Sequence, residues 1–151
     1  MPLLLIGLNH RSAPVEIRER LSQHCASGLP GTDGFHIEAV SVFTCNRIEL
    51  YLAGHVLKGE QAFRDWLAGH GITWLEMEPF LYRLEDREAM RHLLKVASGL
   101  DSMILGENQI LGQVKESYQA AIQAGCVGKH LHSLFQKALE VGKRVRTETR
   151  I

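Results

Sequence analysis

Val40-Ser41-Val42-Phe43-Thr44-Cys45-Asn46-Arg47-Ile48-Glu49-Leu50-Tyr51-Leu52 is a pair of apolar stretches joined through four polar residues. The first, Val40 to Phe43, is a short apolar run. The second, Ile48 to Leu52, alternates apolar and polar as a half-buried strand does. The turn between them, Thr44-Cys45-Asn46-Arg47, sits where one strand ends and the next begins, held by sheet backbone on both sides. It offers a hydroxyl, a thiol, an amide and a guanidinium. A free cysteine titrates near ~8.5, so little of it is thiolate at neutral pH. Arg47 can favour the thiolate, or it can clamp a carboxylate with its planar fork. The competing reading of Cys45 is a small buried hydrophobe.

Outward from this hairpin the elements follow in order. Leu3 to Leu8 reads as a buried strand, broken by Asn9-His10-Arg11-Ser12-Ala13-Pro14, in which Ser12 can cap a helix and Pro14 suits a first turn. Val15 to Leu21 is a short helix, 28–34 a glycine-rich loop, and Phe35 to Phe43 and Ile48 to Ala53 are strands. Gly59 to Ala68 is a helix ended by Gly69 or Gly71, and Pro79 to Leu84 a fourth strand. Strand, helix, strand, strand, helix, strand is the order of a ferredoxin-like βαββαβ sandwich. The expected fold class is α+β: that sandwich over residues 1–85, then a helical subdomain over 86–151. In the latter, Asp86 can cap a helix running to Ser98 with Gly99 as its stop. A second helix spans Gly106 to Ala124, with Leu111, Val114, Tyr118 and Ala121 inward, and a third runs from about Leu131. The last has no stop signal before Ile151, so the chain is expected to be part of a longer protein.

Composition excludes several classes. The formal net charge is zero, against a general polyanion binder, yet residues 127–151 hold six Lys or Arg and two acids. Such a basic end can attract RNA phosphates or simply be a solvated helix face. No apolar run approaches the ~20 residues of a membrane span. Met1 to Leu8 lacks the features of a secretory signal, and three cysteines suggest reduced thiols in a cytoplasm. Neither Cys126-x3-His130-x-His132 nor His24-Cys25 has metal-site spacing, so no metal is expected. No G-x-G-x-x-G follows a strand, so there is no dinucleotide fingerprint.

His92 falls at the polar edge of the first late helix, beside Ala89 and Val96. It is either a partly solvated packing residue or a proton donor or acceptor for a thiol. Gln109 and Gln113 share one face of the second late helix, joined by Ser102 if helical geometry extends back to it. Three neutral hydrogen-bonding groups on one face suit a polar ligand. Glu107 points toward the apolar side near the helix start, as an acid favoured by the helix dipole or as a carboxylate reading a ligand.

His92 apart, these residues fall within five ordered motifs: Gly7-Leu-Asn-His-Arg-Ser-Ala-Pro-Val15, Thr44-Cys-Asn-Arg-Ile-Glu-Leu-Tyr51, Val96-Ala-Ser-Gly-Leu-Asp-Ser102, Leu105-Gly-Glu-Asn-Gln-Ile-Leu-Gly-Gln-Val-Lys115 and Gly142-Lys-Arg-Val-Arg-Thr-Glu-Thr149. Through them essentially the whole chain resembles the N-terminal catalytic domain of the glutamyl-tRNA reductases, which open the glutamate route to tetrapyrroles. The resemblance implies that Cys45 is the nucleophile and that His92 matters for activity. It also implies that Thr44, Asn46, Arg47, Ser102, Glu107, Asn108, Gln109 and Gln113 line the pocket for the glutamyl end of charged tRNA. Asn108 stands where the family usually has proline. Cys45 is then expected to displace the tRNA ribose from glutamate, giving a thioester that is reduced to glutamate-1-semialdehyde. NADPH is the implied cofactor, held by a domain this chain lacks, and no metal is implied. The implied partners are glutamyl-tRNA, a glutamate-1-semialdehyde aminomutase that takes the product, and a second copy in a homodimer of the full-length protein. The alternatives are a non-catalytic tRNA-binding module and a self-sufficient cysteine hydrolase.

Overall fold

The chain contains four strands and six helices among the residues that the computed structural model describes, 2–25, 37–44, 46–100 and 109–149. In order they are β1 (Leu3–Asn9), α1 (Val15–Cys25), β2 (Ile37–Phe43), β3 (Arg47–Gly54), α2 (Val56–Gly69), α3 (Trp74–Met77), β4 (Tyr82–Glu85), α4 (Asp86–Ala97), α5 (Gln109–Gln123) and α6 (Lys129–Thr149). The sheet is antiparallel throughout with order β2-β3-β1-β4. This is the ferredoxin-like arrangement expected from the element order, followed by helices. No helix among the described residues is long and apolar enough to cross a membrane.

β1 is central and buried along its whole length, as its unbroken Leu3-Leu4-Leu5-Ile6 run requires. Both faces of the sheet are covered. On one face Leu4, Ile6, Leu8, Ile48, Leu50 and Leu52 meet Leu21 of α1 and Phe63 and Leu67 of α2. On the other, Leu3, Leu5, Val40, Val42, Tyr51 and Ala53 meet Leu93 and Val96 of α4, Val114 of α5, and Leu131 and Phe135 of α6. β3 is therefore buried on both sides, not half-buried. The polar members of its alternation, Glu49 above all, lie beneath the late helices instead of in water.

Local chemistry explains the other departures from expectation. The fourth strand begins at Tyr82, because Glu78–Phe80 is a 3₁₀ turn. Pro79, with its fixed φ and no N–H, suits the first turn of a helix. The preceding turn, α3, is closed by a capping box between Thr73 and Glu76. Asp86 does not cap α4: Glu85 occupies that position, while Asp86 has φ of 48° and accepts from Leu3 N at 3.0 Å, tying β1 to the helix start. Ser12 caps no helix either; its hydroxyl accepts from Asn9 N at 3.0 Å. Gly71 rather than Gly69 takes the left-handed conformation after α2, and Gly99 does so after α4. Ile110 joins Val114 and Tyr118 on the buried side of α5.

One contact aligns the late helices with the sheet. Glu38 of β2 accepts from the N–H groups of Gly128 (2.9 Å), Leu131 (2.8 Å) and His130 (3.3 Å), satisfying the exposed donors at the start of α6.

Candidate active site

The β2–β3 turn is built by Thr44. Its Oγ1 accepts from Asn46 N and Arg47 N, each at 3.2 Å, and its own N–H donates to the Arg47 carbonyl at 2.9 Å. Across the sheet Asn9 pairs with Arg47, and the Asn9 carboxamide closes the next loop by accepting from Arg11 N (2.9 Å) and Ser12 N (3.2 Å). Two side-chain-closed turns thus stand side by side at one end of the sheet. Cys45 itself lies outside the described residues, as do Ser102, Glu107 and Asn108.

Behind the turn lies a buried polar network that sequence reasoning missed. Glu49 is fully enclosed. Arg47 Nη1 approaches Glu49 Oε2 at 3.1 Å, Tyr51 Oη donates to Oε1 at 2.9 Å, and Tyr82 Oη donates to Oε2. His92 Nε2 lies 2.5 Å from the same Oε2, and its ring tilts against that of Tyr82. Burial alone would raise the Glu49 pKa. The hydrogen bond and charge of His92, the charge of Arg47 and the Tyr82 hydroxyl outweigh it and hold the carboxyl below its usual range. Burial, then the Glu49 charge, pushes the Tyr51 phenol well above its usual value. The acid at the second position of Ile48-Glu49-Leu50 is visible in the sequence, but two of its four partners, Tyr82 and His92, lie 33 and 43 residues away in the chain.

Gly7 makes this network possible. It is registered opposite Glu49 on β3 and Tyr82 on β4, so those two side chains meet over it. A Cβ there would stand 2.7 Å from the Ile48 carbonyl oxygen and 2.9 Å from Glu49 Cγ.

In front of the turn is a cleft of about 520 Å³ between α1 and the strand ends. It is lined by Val15, Arg18, Glu19 and Ser22 on one side and by Phe43, Thr44, Asn46, Arg47 and Ile48 on the other. Thr44 and Asn46 are the residues flanking Cys45 in sequence. Arg47 alone among the described residues belongs to both the cleft and the Glu49 network. A second hollow, about 430 Å³ between α4 and α6, lies over the other end of the sheet at Leu3 and Ala53 and touches neither the turn nor the network. Gln113 is half-buried on α5 and Gln109 exposed; among the described residues no hydrogen bond joins either to the network. No group of three or more potential metal ligands occurs among the described residues.

These features define an α+β domain with a polar strand turn at a cleft and a buried carboxylate–imidazole pair behind it. A family model described as the glutamyl-tRNAGlu reductase N-terminal domain matches residues 6–149. The glutamyl-tRNA reductases of Marinomonas sp. and Neisseria meningitidis are 45% and 44% identical over the whole chain. The chain spans 37% of the length of each. A solved structure, the glutamyl-tRNA reductase from Methanopyrus kandleri, superposes with a TM-score of 0.73 at 33% identity, covering 98% of this chain and 35% of that one. The chain belongs to the glutamyl-tRNA reductase family, matching its N-terminal domain.

Proposed function

We propose that the chain is the catalytic domain of an NADPH-dependent glutamyl-tRNA reductase and that it performs the acyl-transfer half of the reaction. The thiolate of Cys45 attacks the ester carbonyl of glutamyl-tRNA. A carbon–sulfur bond forms, the bond to the ribose oxygen breaks, and that oxygen leaves with a proton. His92 is assigned the proton. With Nε2 held by Glu49, its Nδ1 is the nitrogen left for exchange, and Glu49 stabilises the imidazolium that proton uptake creates. Arg47 is assigned the substrate carboxylate, and Thr44, Asn46, Gln109 and Gln113, with Ser102, Glu107 and Asn108, the remaining polar contacts. The observation that carries this reading is the position of Arg47, shared between the cleft beside the turn and the Glu49–His92 pair.

A thioester carbonyl is a better hydride acceptor than an ester because sulfur overlaps poorly with it, which fits reduction to glutamate-1-semialdehyde. No G-x-G-x-x-G, the dinucleotide-binding fingerprint, occurs in the chain. The hydride donor is assigned to the length of the relatives that the chain does not span. The chain alone is expected to acylate and then hydrolyse slowly.

Mass spectrometry after mixing with glutamyl-tRNA at neutral pH tests this. The expected result is a glutamyl increment on Cys45, removed by hydroxylamine and missing from Cys45→Ser. Salt-sensitive RNA binding with no adduct in the wild type would sink the enzymatic reading and leave an RNA-binding module.

A further inference from the structure

The hollow of about 430 Å³ between α4 and α6 stands at the end of the sheet away from the β2–β3 turn and has no part in the reaction proposed above. Its floor is Leu3 and Ala53, paired in register on β1 and β3 and both buried. The two helices bring more apolar surface than the sheet covers. On α4 the buried stripe is Ala89, Leu93 and Val96; Met90 and Leu94, one position further round, line the hollow instead, and Met90 is 45% exposed. Leu134 of α6, half-buried, lines it from the other helix. The rim is cationic. Lys129, Ser133 and Lys137 follow one another at four-residue steps, so they run along one side of α6 over about 12 Å. Among the described residues neither lysine has an ion-pair partner, and no acid lines the hollow. Two acids at its edges are committed to backbone: Glu38 accepts from Gly128 and Leu131 N–H, and Asp86 from Leu3 N–H.

A concave, mostly apolar site of several hundred Å³ with a few polar groups to one side is the form that binds small molecules. Here the polar groups are two ammonium ions and a hydroxyl, all of them donors, which suit an anion. We propose that the hollow is a binding site for a medium-chain acyl carboxylate. Its hydrocarbon chain lies over Leu3, Ala53, Met90 and Leu94, and its carboxylate sits at the Lys129–Lys137 rim. Among the described residues no phenyl or indole ring lines the hollow, so the walls give a planar body nothing to stack on and favour an aliphatic one. The lined length of α6, about 12 Å, matches one extended chain of moderate length. At the rim the carboxylate stays in water, where an ion pair contributes little. Most of the affinity therefore comes from the buried chain, and the lysines select the sign of the head group. The proposal is independent of the role assigned to Cys45.

The test titrates hexanoate, octanoate and decanoate, each below its micelle concentration, into the chain and follows methyl signals by NMR. Those of Met90, Leu94 and Leu134 are expected to move and to saturate with one ligand bound, while Val15 at the other cleft stays still. Affinity is expected to rise about threefold to fourfold for each added CH₂. Changing Lys129→Gln and Lys137→Gln together is expected to weaken octanoate about fivefold and to leave octan-1-ol unchanged. Ser133→Trp, at an exposed position of the rim, is expected to fill the mouth and abolish binding without lowering the urea midpoint. The proposal is overturned if the three methyl signals stay still, if affinity ignores chain length, or if octan-1-ol or octylammonium binds as well as octanoate. Tighter binding of octyl phosphate than of octanoate overturns the carboxylate head group. Binding of an acidic, leucine-rich helical peptide at these methyl groups where decanoate does not bind makes the hollow a protein-docking groove and also overturns the proposal.

Discussion

Glu49 Oε2 and His92 Nε2 lie 2.5 Å apart, joining the middle strand pair to the first of the late helices through one buried carboxylate. The same carboxylate binds Arg47, two residues from Cys45. One group therefore sets the position of two side chains assigned to the reaction.

Glu49→Gln keeps the shape and removes the charge. Arg47 then loses the buried carboxylate 3.1 Å from its Nη1, and breaking a buried pair from one side costs about 3–5 kcal/mol. Urea unfolding should report a loss of that order. Under the proposed assignment, the rate of thioester formation should fall more than affinity for tRNA, because the Glu49 carboxylate holds the His92 ring in place.

The pH dependence of stability follows from the same site. The Glu49 carboxyl is held low in the folded state, so its contribution is complete above the unfolded value near ~4.3 and is lost as pH falls through the lower folded value. The Tyr51 phenol is raised, so its contribution is complete below ~10 and is lost as pH rises beyond that. Urea midpoints from pH 3 to 11 should form a plateau that falls at both ends. Glu49→Gln should flatten the acid limb and Tyr51→Phe the alkaline one.

Gly7→Ala adds a methyl group where a Cβ would stand 2.7 Å from backbone oxygen and 2.9 Å from Glu49 Cγ. Backbone cannot yield as a side-chain tip does, so about 1–3 kcal/mol of destabilisation is expected. The His92 ring signals should shift in NMR spectra although residue 7 is on a different element. Unchanged His92 signals would separate Gly7 from the network.

Glu38→Ala removes three acceptor contacts from the start of α6, for an expected loss of about 1–2 kcal/mol. Amide exchange should accelerate at Gly128 and Leu131 before it does in the sheet. Gly128→Ala should act in the same direction, since its Cβ would lie 2.8 Å from Glu38 Cδ.

Arg47→Lys keeps a positive charge and loses the planar fork. Under the proposed assignment, selection of glutamyl over other aminoacyl esters should suffer more than the rate at which iodoacetamide alkylates Cys45. Equal losses in both would remove the carboxylate assignment from Arg47.

The elements were legible wherever a local pattern was strong. Leu3 to Leu8 could only be an interior strand, the Thr44–Arg47 turn was bracketed by two apolar runs, and glycines marked the ends of α2, α4 and α5. The start of β4 was misread because Pro79-Phe80-Leu81 is apolar enough for a strand, whereas the capping box at Thr73 and the proline favour a short helical turn. Of the candidate site, the turn residues and His92 stand out in the sequence, yet nothing local links His92 to Glu49 of β3, 43 residues away in the chain.

Sequence alone determined the periodicities, the turn chemistry and the motif set, because each depends on residues within a few positions of one another. Only the tertiary structure decided that Glu49 is dry. Alternation in Ile48 to Leu52 says that one face differs from the other, but not what covers each. When α4, α5 and α6 close over the polar face, water is excluded, and the carboxylate must find its hydrogen bonds in Arg47, Tyr51, Tyr82 and His92.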